Sequence, residues 1–173
     1  MEYILKKAKR AQADIAMGLI EEGRKYLKEQ GSDQWQTGYP DRSVILEDIG
    51  KERGYLVTDG GAYLAYLCID FQGEPAYDGL KGQWIGNFPY AVIHRLAVSS
   101  SYRGKGLSQT VFSLAEKECL KHGVYSLRAD TDVKNTIMQH IFEKNGFRYC
   151  GTVWFAGSDK LAYEKLLFRP LCE

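Results

Sequence analysis

At 173 residues, with 45% apolar and 26% charged residues, the chain is long enough to fold as one compact domain with a substantial core. Its 23 Lys and Arg against 22 Asp and Glu leave a formal charge of +1, which argues against a nucleic-acid-binding surface spread over the molecule. No stretch reaches the roughly 18 consecutive apolar residues of a membrane helix, and the opening MEYILKKAKRAQADIAMGLI carries no signal-like apolar block, so no membrane partner and a cytoplasmic location are expected.

Residues 2–6 suit an edge strand. Over residues 11–29, Ile15, Leu19, Ile20 and Leu27 recur at helical spacing, and Gly31 supplies a stop. A shorter helix is predicted over residues 43–51, capped by Asp41 or Ser43 and set off by Pro40. The period then changes. Residues 55–58 and 62–71 read as strands joined through Asp59-Gly60-Gly61, a hairpin signal, and residues 72–89 form an excursion beside the sheet. The run YAVIHRLAV reads as a strand, followed by a basic glycine turn and a helix over residues 107–121. A strand over 126–129 and a helix over 135–145 come next, then FRYCGTVWFA and KLAYEKLLF as a strand pair about Gly157-Ser158-Asp159. The pattern predicts an α/β fold with a mixed central sheet flanked by helices, in a single domain over residues 1–173.

The stretch VSSSYRGKGLS poses the functional question. Arg103 and Lys105 bring positive charge, while Gly104 and Gly106 allow unusual dihedrals and close approach to successive backbone amides. The helix that follows opens with unpaired N–H groups, so an anion such as a phosphate fits this strand-to-helix turn; a tight structural connection is the competing explanation. The turn is neither a Walker sequence nor the three-glycine dinucleotide fingerprint, which leaves little support for an ATP site.

These residues resemble the acyl-CoA-binding signature of the GNAT acetyltransferase superfamily, Arg/Gln-x-x-Gly-x-Gly/Ala, with Arg103 and Gly106 in place and Ser108 where Gly or Ala is usual. The likeness extends through IHRLAV and through SLRADTDVKNTIMQHIFEKNGFRYCG, covering about residues 93–151. The resemblance implies a GNAT-like fold and an acetyl-CoA-dependent N-acetyltransferase that passes the acetyl group directly to an amine, with acetyl-CoA as cosubstrate and no metal. It implies that Arg103, Gly104, Lys105, Gly106, Leu107 and Ser108 bind the CoA pyrophosphate. Leu96, Ala97 and Val98 would line the pantetheine arm, and Asn135 would help orient the cofactor. A catalytically weak or inactive acyl-CoA-binding regulator is the alternative reading.

Acyl transfer needs an unprotonated amine held close to the thioester, with proton removal and stabilisation of the developing carbonyl charge. The backbone of Leu96 is the candidate oxyanion donor, and His94 the candidate base, directly or through water; a structural hydrogen bond is its other reading. Strand alternation would put His94 and Arg95 on opposite faces. Where many family members carry a tyrosine that protonates the departing thiolate, this chain has Phe142, so water or another tyrosine such as Tyr149 must serve. Asp130 and Asp132 suit an amine, a water or a capped turn; Trp35 and Tyr39, with Asp33 or Asp41, suit an acceptor wall or an interhelical connection. Cys68, Cys119, Cys150 and Cys172 are widely spaced, as expected of free thiols without a metal role. A small-molecule amine is the favoured acceptor, a protein amine the other, with no nucleic-acid partner and a homodimer permitted.

Overall fold

The structure is a computed structural model describing residues 2–87 and 89–168, so Cys172 lies outside the described residues. The chain forms two compact units: the described residues to Ile69 with Ile93–Leu114, and Asp70–Val92 with the described residues from Ala115 onward.

The first unit contains β1 (Ile4–Lys7), α1 (Ala13–Glu29), α2 (Arg42–Gly50), β2 (Gly54–Thr58) and β3 (Tyr63–Asp70) as far as Ile69. It also takes β5 (Ala91–Val98) from Ile93 onward and the start of α3 (Leu107–Lys121). Strands β1, β2 and β3 pair antiparallel in that order, and β5 is the next neighbour of β3. The β2–β3 hairpin forms where its turn residues predict, with Asp59 Oδ1 accepting from the amides of Gly61 and Ala62.

Helix α1 begins two residues later than its apolar period suggests, because Arg10–Gln12 forms a 3-10 turn in which Gln12 Oε1 accepts from the Lys9 amide at 2.8 Å. Its buried stripe is Ala13, Ala16, Leu19, Ile20, Gly23 and Leu27. Ile15, expected on that stripe, is 37% exposed, since it sits one residue, about 100° of helix rotation, away from Ala16. Small residues on the stripe let the helix come close: a Cβ on Gly23 would lie 3.0 Å from the Trp35 ring and 3.4 Å from the Ala97 methyl. Leu19 and Ile20 pack with Ile45, Leu56 and Tyr66, each buried aliphatic side chain contributing about 1.5–3 kcal/mol. Asp41 caps α2 by accepting from the Val44 amide at 3.0 Å, while Ser43 donates to the same carboxylate.

The second unit holds β4 (Lys81–Gly82), Ala91 and Val92 of β5, the end of α3, β6 (Ser126–Asp132), α4 (Thr136–Lys144), β7 (Arg148–Phe155) and β8 (Ser158–Leu166). Its strand order is β5–β6–β8–β7–β4. Strand β6 runs parallel to β5 at Ala91↔Leu127 and Val92↔Arg128, and the other pairings are antiparallel, which makes the sheet mixed. Strand β6 extends three residues past its predicted end. Thr131 is buried and Asp132 pairs with Lys160 at 3.3 Å, so residues that resemble a polar turn continue the ladder to Asp132↔Lys160.

The excursion over residues 72–89 contains β4, which no sequence periodicity announces. Gly82 and Gly151 face each other there so closely that a Cβ on Gly82 would lie 2.1 Å from the Cys150 carbonyl oxygen. Arg128 secures the segment: its guanidinium lies 4.0 Å from the ring centres of both Trp84 and Tyr90 and donates to the Gly86 carbonyl at 2.9 Å. Glu164, fully buried, accepts from Arg128, the Ser126 hydroxyl and the Ile85 amide, leaving no carboxylate charge unsatisfied. Tyr77, Val92, Val153 and Ala162 form the core beneath. Among the described residues no helix is long and apolar enough to cross a membrane.

Candidate functional site

The basic glycine turn sits in the first unit, between the end of β5 and the first residue of α3. After the 3-10 turn Ser100–Tyr102, Gly104 and Gly106 adopt φ of 72° and 75°, the left-handed region in which glycine carries no steric penalty. The amides of Tyr102, Lys105 and Gln109 are used within the turn, by Ser99, Tyr102 and Gly106 carbonyls respectively. Among the described residues, those of Gly104, Gly106, Leu107 and Ser108 meet no acceptor. Four unused donors thus lie at the positive end of a 15-residue helix, and a Cβ on either glycine would project into space with no heavy atom within 4 Å. Such geometry suits an anion.

Helix α1 holds the turn in place. Glu22 Oε2 accepts from the Ser100 amide at 2.7 Å, and the Glu22 carbonyl accepts from Arg103 Nη2 at 2.9 Å. The Arg103 guanidinium also lies 4.1 Å from the Tyr26 ring centre. Its side chain therefore braces the turn rather than projecting from it. Lys105, exposed, adds a positive charge, its ammonium 5.6 Å from the Tyr102 ring centre. Leu107 is buried and anchors the helix start, and Ser108 is half-buried in its first turn.

Strand β5 does not alternate as a plain strand would. Arg95 has φ 54°, and His94, Arg95 and Leu96 are half-buried in succession. The left-handed residue costs about 1–2 kcal/mol and interrupts the two-residue period on which the predicted separation of His94 from Arg95 rests. Beyond it, Ala97 turns its methyl toward Gly23 in the core, while Leu96 and Val98 are half-buried. Arg95 is drawn inward by Asp48 of α2: Nε to Oδ2 at 2.8 Å and Nη2 to Oδ1 at 2.5 Å. Arg53 Nε at 2.9 Å and the Tyr66 hydroxyl at 2.7 Å donate to the same carboxylate, which is fully buried. Burial pushes the Asp48 carboxyl up, but the Arg95, Tyr66 and Arg53 donors outweigh it and hold the group below the ordinary carboxylate value. Arg95 Nη1 also donates to the Tyr39 hydroxyl at 2.7 Å. None of Asp48, Arg53, Tyr66 or Glu22 stands out in the sequence as a site residue; a lone Asp in a short helix gives no signal until the fold brings two arginines to it.

Asn135, in the second unit, is the N-cap of α4, its side chain accepting from the Met138 amide at 3.1 Å. Phe142 is buried against Phe147 and Tyr163, whereas Tyr149 is 56% exposed. Asp130 Oδ1 accepts from the Tyr77 hydroxyl at 2.6 Å, and burial, only partly offset by that bond and by Lys160, raises its carboxyl above the ordinary value. Asp132 accepts from the Lys134 amide and pairs with Lys160, the capped-turn role. Trp35 packs on Gly23, which makes it part of the interhelical connection. Cys68, Cys119 and Cys150 are buried free thiols, and burial pushes Cys119 up to about 12, far from a thiolate nucleophile at neutral pH. Among the described residues no group of three or more His, Cys, Asp or Glu is placed to hold a metal ion.

The sequence profile of the Acetyltransferase (GNAT) family matches residues 20–147. No curated protein matches the chain by sequence. Among solved structures, a GNAT-family acetyltransferase from Streptococcus agalactiae 2603 is 35% identical, with 96% of each chain covered and a TM-score of 0.89. A GNAT-family acetyltransferase from Listeria monocytogenes 4b F2365 is 24% identical over 96% of each chain, with a TM-score of 0.76. The aminoglycoside acetyltransferase AAC(6')-Ib, solved in complex with coenzyme A, shares 16% identity over 95% of each chain at a TM-score of 0.69, a likeness of fold alone.

Proposed function

Because this chain belongs to the GNAT acetyltransferase family, we propose that it transfers the acetyl group of acetyl-CoA directly to an amine, within one domain spanning residues 1–173. The observation that carries this reading is the set of amides at Gly104, Gly106, Leu107 and Ser108, unused by the chain and carried on a left-handed glycine turn at the start of α3. Pyrophosphate oxygens match such donors, since charge-assisted bonds to backbone N–H and a helix N-terminus favour anions. Lys105 adds charge at the rim; Arg103, spent on α1, keeps the turn from collapsing.

In the proposed reaction the amine attacks the thioester carbonyl, a C–N bond forms, the C–S bond breaks, and CoA leaves as a thiol. Leu96 and Val98 line the path of the pantetheine arm, and Ala97 contributes backbone alone, because its methyl belongs to the core. The Leu96 amide stabilises the carbonyl charge, and His94, half-buried on the same strand, takes the amine proton directly or through water. Phe142 has no proton to give, so the thiolate is protonated by water or by another hydroxyl. A small amine is the favoured acceptor.

A second reading, an acyl-CoA-binding regulator with little turnover, draws on Phe142, whose buried ring stands where many family members carry the acid. Calorimetric titration with acetyl-CoA, against desulfo-CoA and ATP, tests the shared premise: saturable binding of the CoA compounds without comparable ATP binding is expected, and no CoA binding by folded protein refutes both readings. Amine-dependent thiol release then separates enzyme from regulator.

A further inference from the structure

Four non-glycine residues among those described have positive φ, and Trp35, Glu52 and Ala156 lie in turns. Arg95 lies inside a strand, between His94 and Leu96. A strained backbone persists only where its surroundings over-determine it, and here they can be named. Asp48 grips two nitrogens of the Arg95 fork from α2, and is itself held by Arg53 and Tyr66. The third nitrogen holds the Tyr39 hydroxyl, on the connection between α1 and α2. Tyr39 is 40% exposed, so this chain of contacts runs from the surface to a fully buried carboxylate.

We infer that Arg95 is a positioning residue for acyl transfer: the Asp48 clamp holds the left-handed turn of β5 that orients His94 and the Leu96 amide, and Tyr39 ties that turn to the α1–α2 connection. Stability alone does not explain the arrangement, because replacing a buried ion pair with packed apolar residues is often neutral or stabilising. What the pair supplies is direction. An arginine unpaired at this position would extend its stem toward water and release the backbone to ordinary extended geometry. Lysine, a point charge without a planar fork, cannot hold Asp48 and Tyr39 at once.

This inference rests on the acetyl-transfer reading. The test measures thiol release at saturating acetyl-CoA with spermidine, L-lysine, kanamycin and the peptide Ala-Ala-Ala as amine probes, alongside melting temperature and acetyl-CoA affinity. Wild-type protein is expected to turn over at least one probe. Arg95→Gly tolerates the left-handed φ but removes the clamp, and its kcat is expected to fall about tenfold to a hundredfold while acetyl-CoA affinity stays within about threefold. Arg95→Lys keeps the charge and does not rescue kcat. Tyr39→Phe, a deletion near the surface, lowers kcat about threefold to tenfold with acetyl-CoA affinity unchanged. Wild-type kcat in folded Arg95→Gly or Arg95→Lys overturns the inference; should those variants not fold, wild-type kcat in Tyr39→Phe overturns it. Acetyl-CoA binding by wild-type protein with no amine-dependent release removes the premise, and so overturns transfer and positioning together.

Discussion

Gly106→Asn separates the cradle from a mere turn. Gly106 has φ 75°, and a Cβ built on it meets no heavy atom within 4 Å, so the folded chain has room for a side chain. Alanine there would cost about 1–2 kcal/mol in backbone strain alone, whereas asparagine visits the left-handed region far more readily. The protein should therefore fold. The bound anion should not be accommodated, because the new side chain enters open space next to the unused amides and its carboxamide oxygen competes for them. Loss of one charge-assisted bond to a phosphate oxygen costs about 1.5–3 kcal/mol, or about tenfold to a hundredfold in Kd. Calorimetric titration with acetyl-CoA is the assay, with Gly31→Asn as matched control: Gly31 has the same φ of 75° and equally open surroundings, at the end of α1. A Gly106→Asn protein that melts like the control and binds acetyl-CoA within about twofold of wild type would refute the cradle.

Asp130→Asn probes the raised carboxyl under Tyr77. A carboxyl whose folded value lies above the unfolded value of about 3.9 weakens the fold as pH rises through the folded value and has no such effect below the unfolded one. Thermal melts should thus show Asp130→Asn more stable than wild type at pH 7, with the difference vanishing below about pH 4; greater wild-type stability at pH 7 contradicts this. Gly82→Ala puts a Cβ 2.1 Å from the Cys150 carbonyl oxygen, so β4 must leave β7, at a cost of about 1–3 kcal/mol in urea unfolding. An unchanged urea midpoint would contradict the close approach. Cys119, buried and with its thiol pushed up to about 12, should resist iodoacetamide at pH 8 in native protein and react once unfolded, as read by mass spectrometry. Rapid native labelling would show the helix α3 core to be open.

Much of this protein is local, and what is local was legible. The helix over residues 107–121, the Asp59-Gly60-Gly61 hairpin and the Asp41 cap follow from periodicity and turn chemistry that act over a few neighbouring residues. The glycine turn also declared itself, because left-handed φ and free amides at a helix start are properties of the segment that contains them. Other features required distant residues to meet. Strand β6 reads as ending at Ala129 until β8 supplies Lys160 opposite Asp132; β4 exists only because Gly82 meets Gly151. The contacts of Arg103 with the Glu22 carbonyl, 81 positions away, and with the Tyr26 ring, both in α1, are likewise absent from its own segment. Above all, Arg95 reads as one residue of an alternating strand. Its left-handed backbone is invisible in the sequence, and its guanidinium fork lies on Asp48, 47 positions away, because a charge taken out of water goes where its counter-charge is, and that location is a property of the tertiary structure alone.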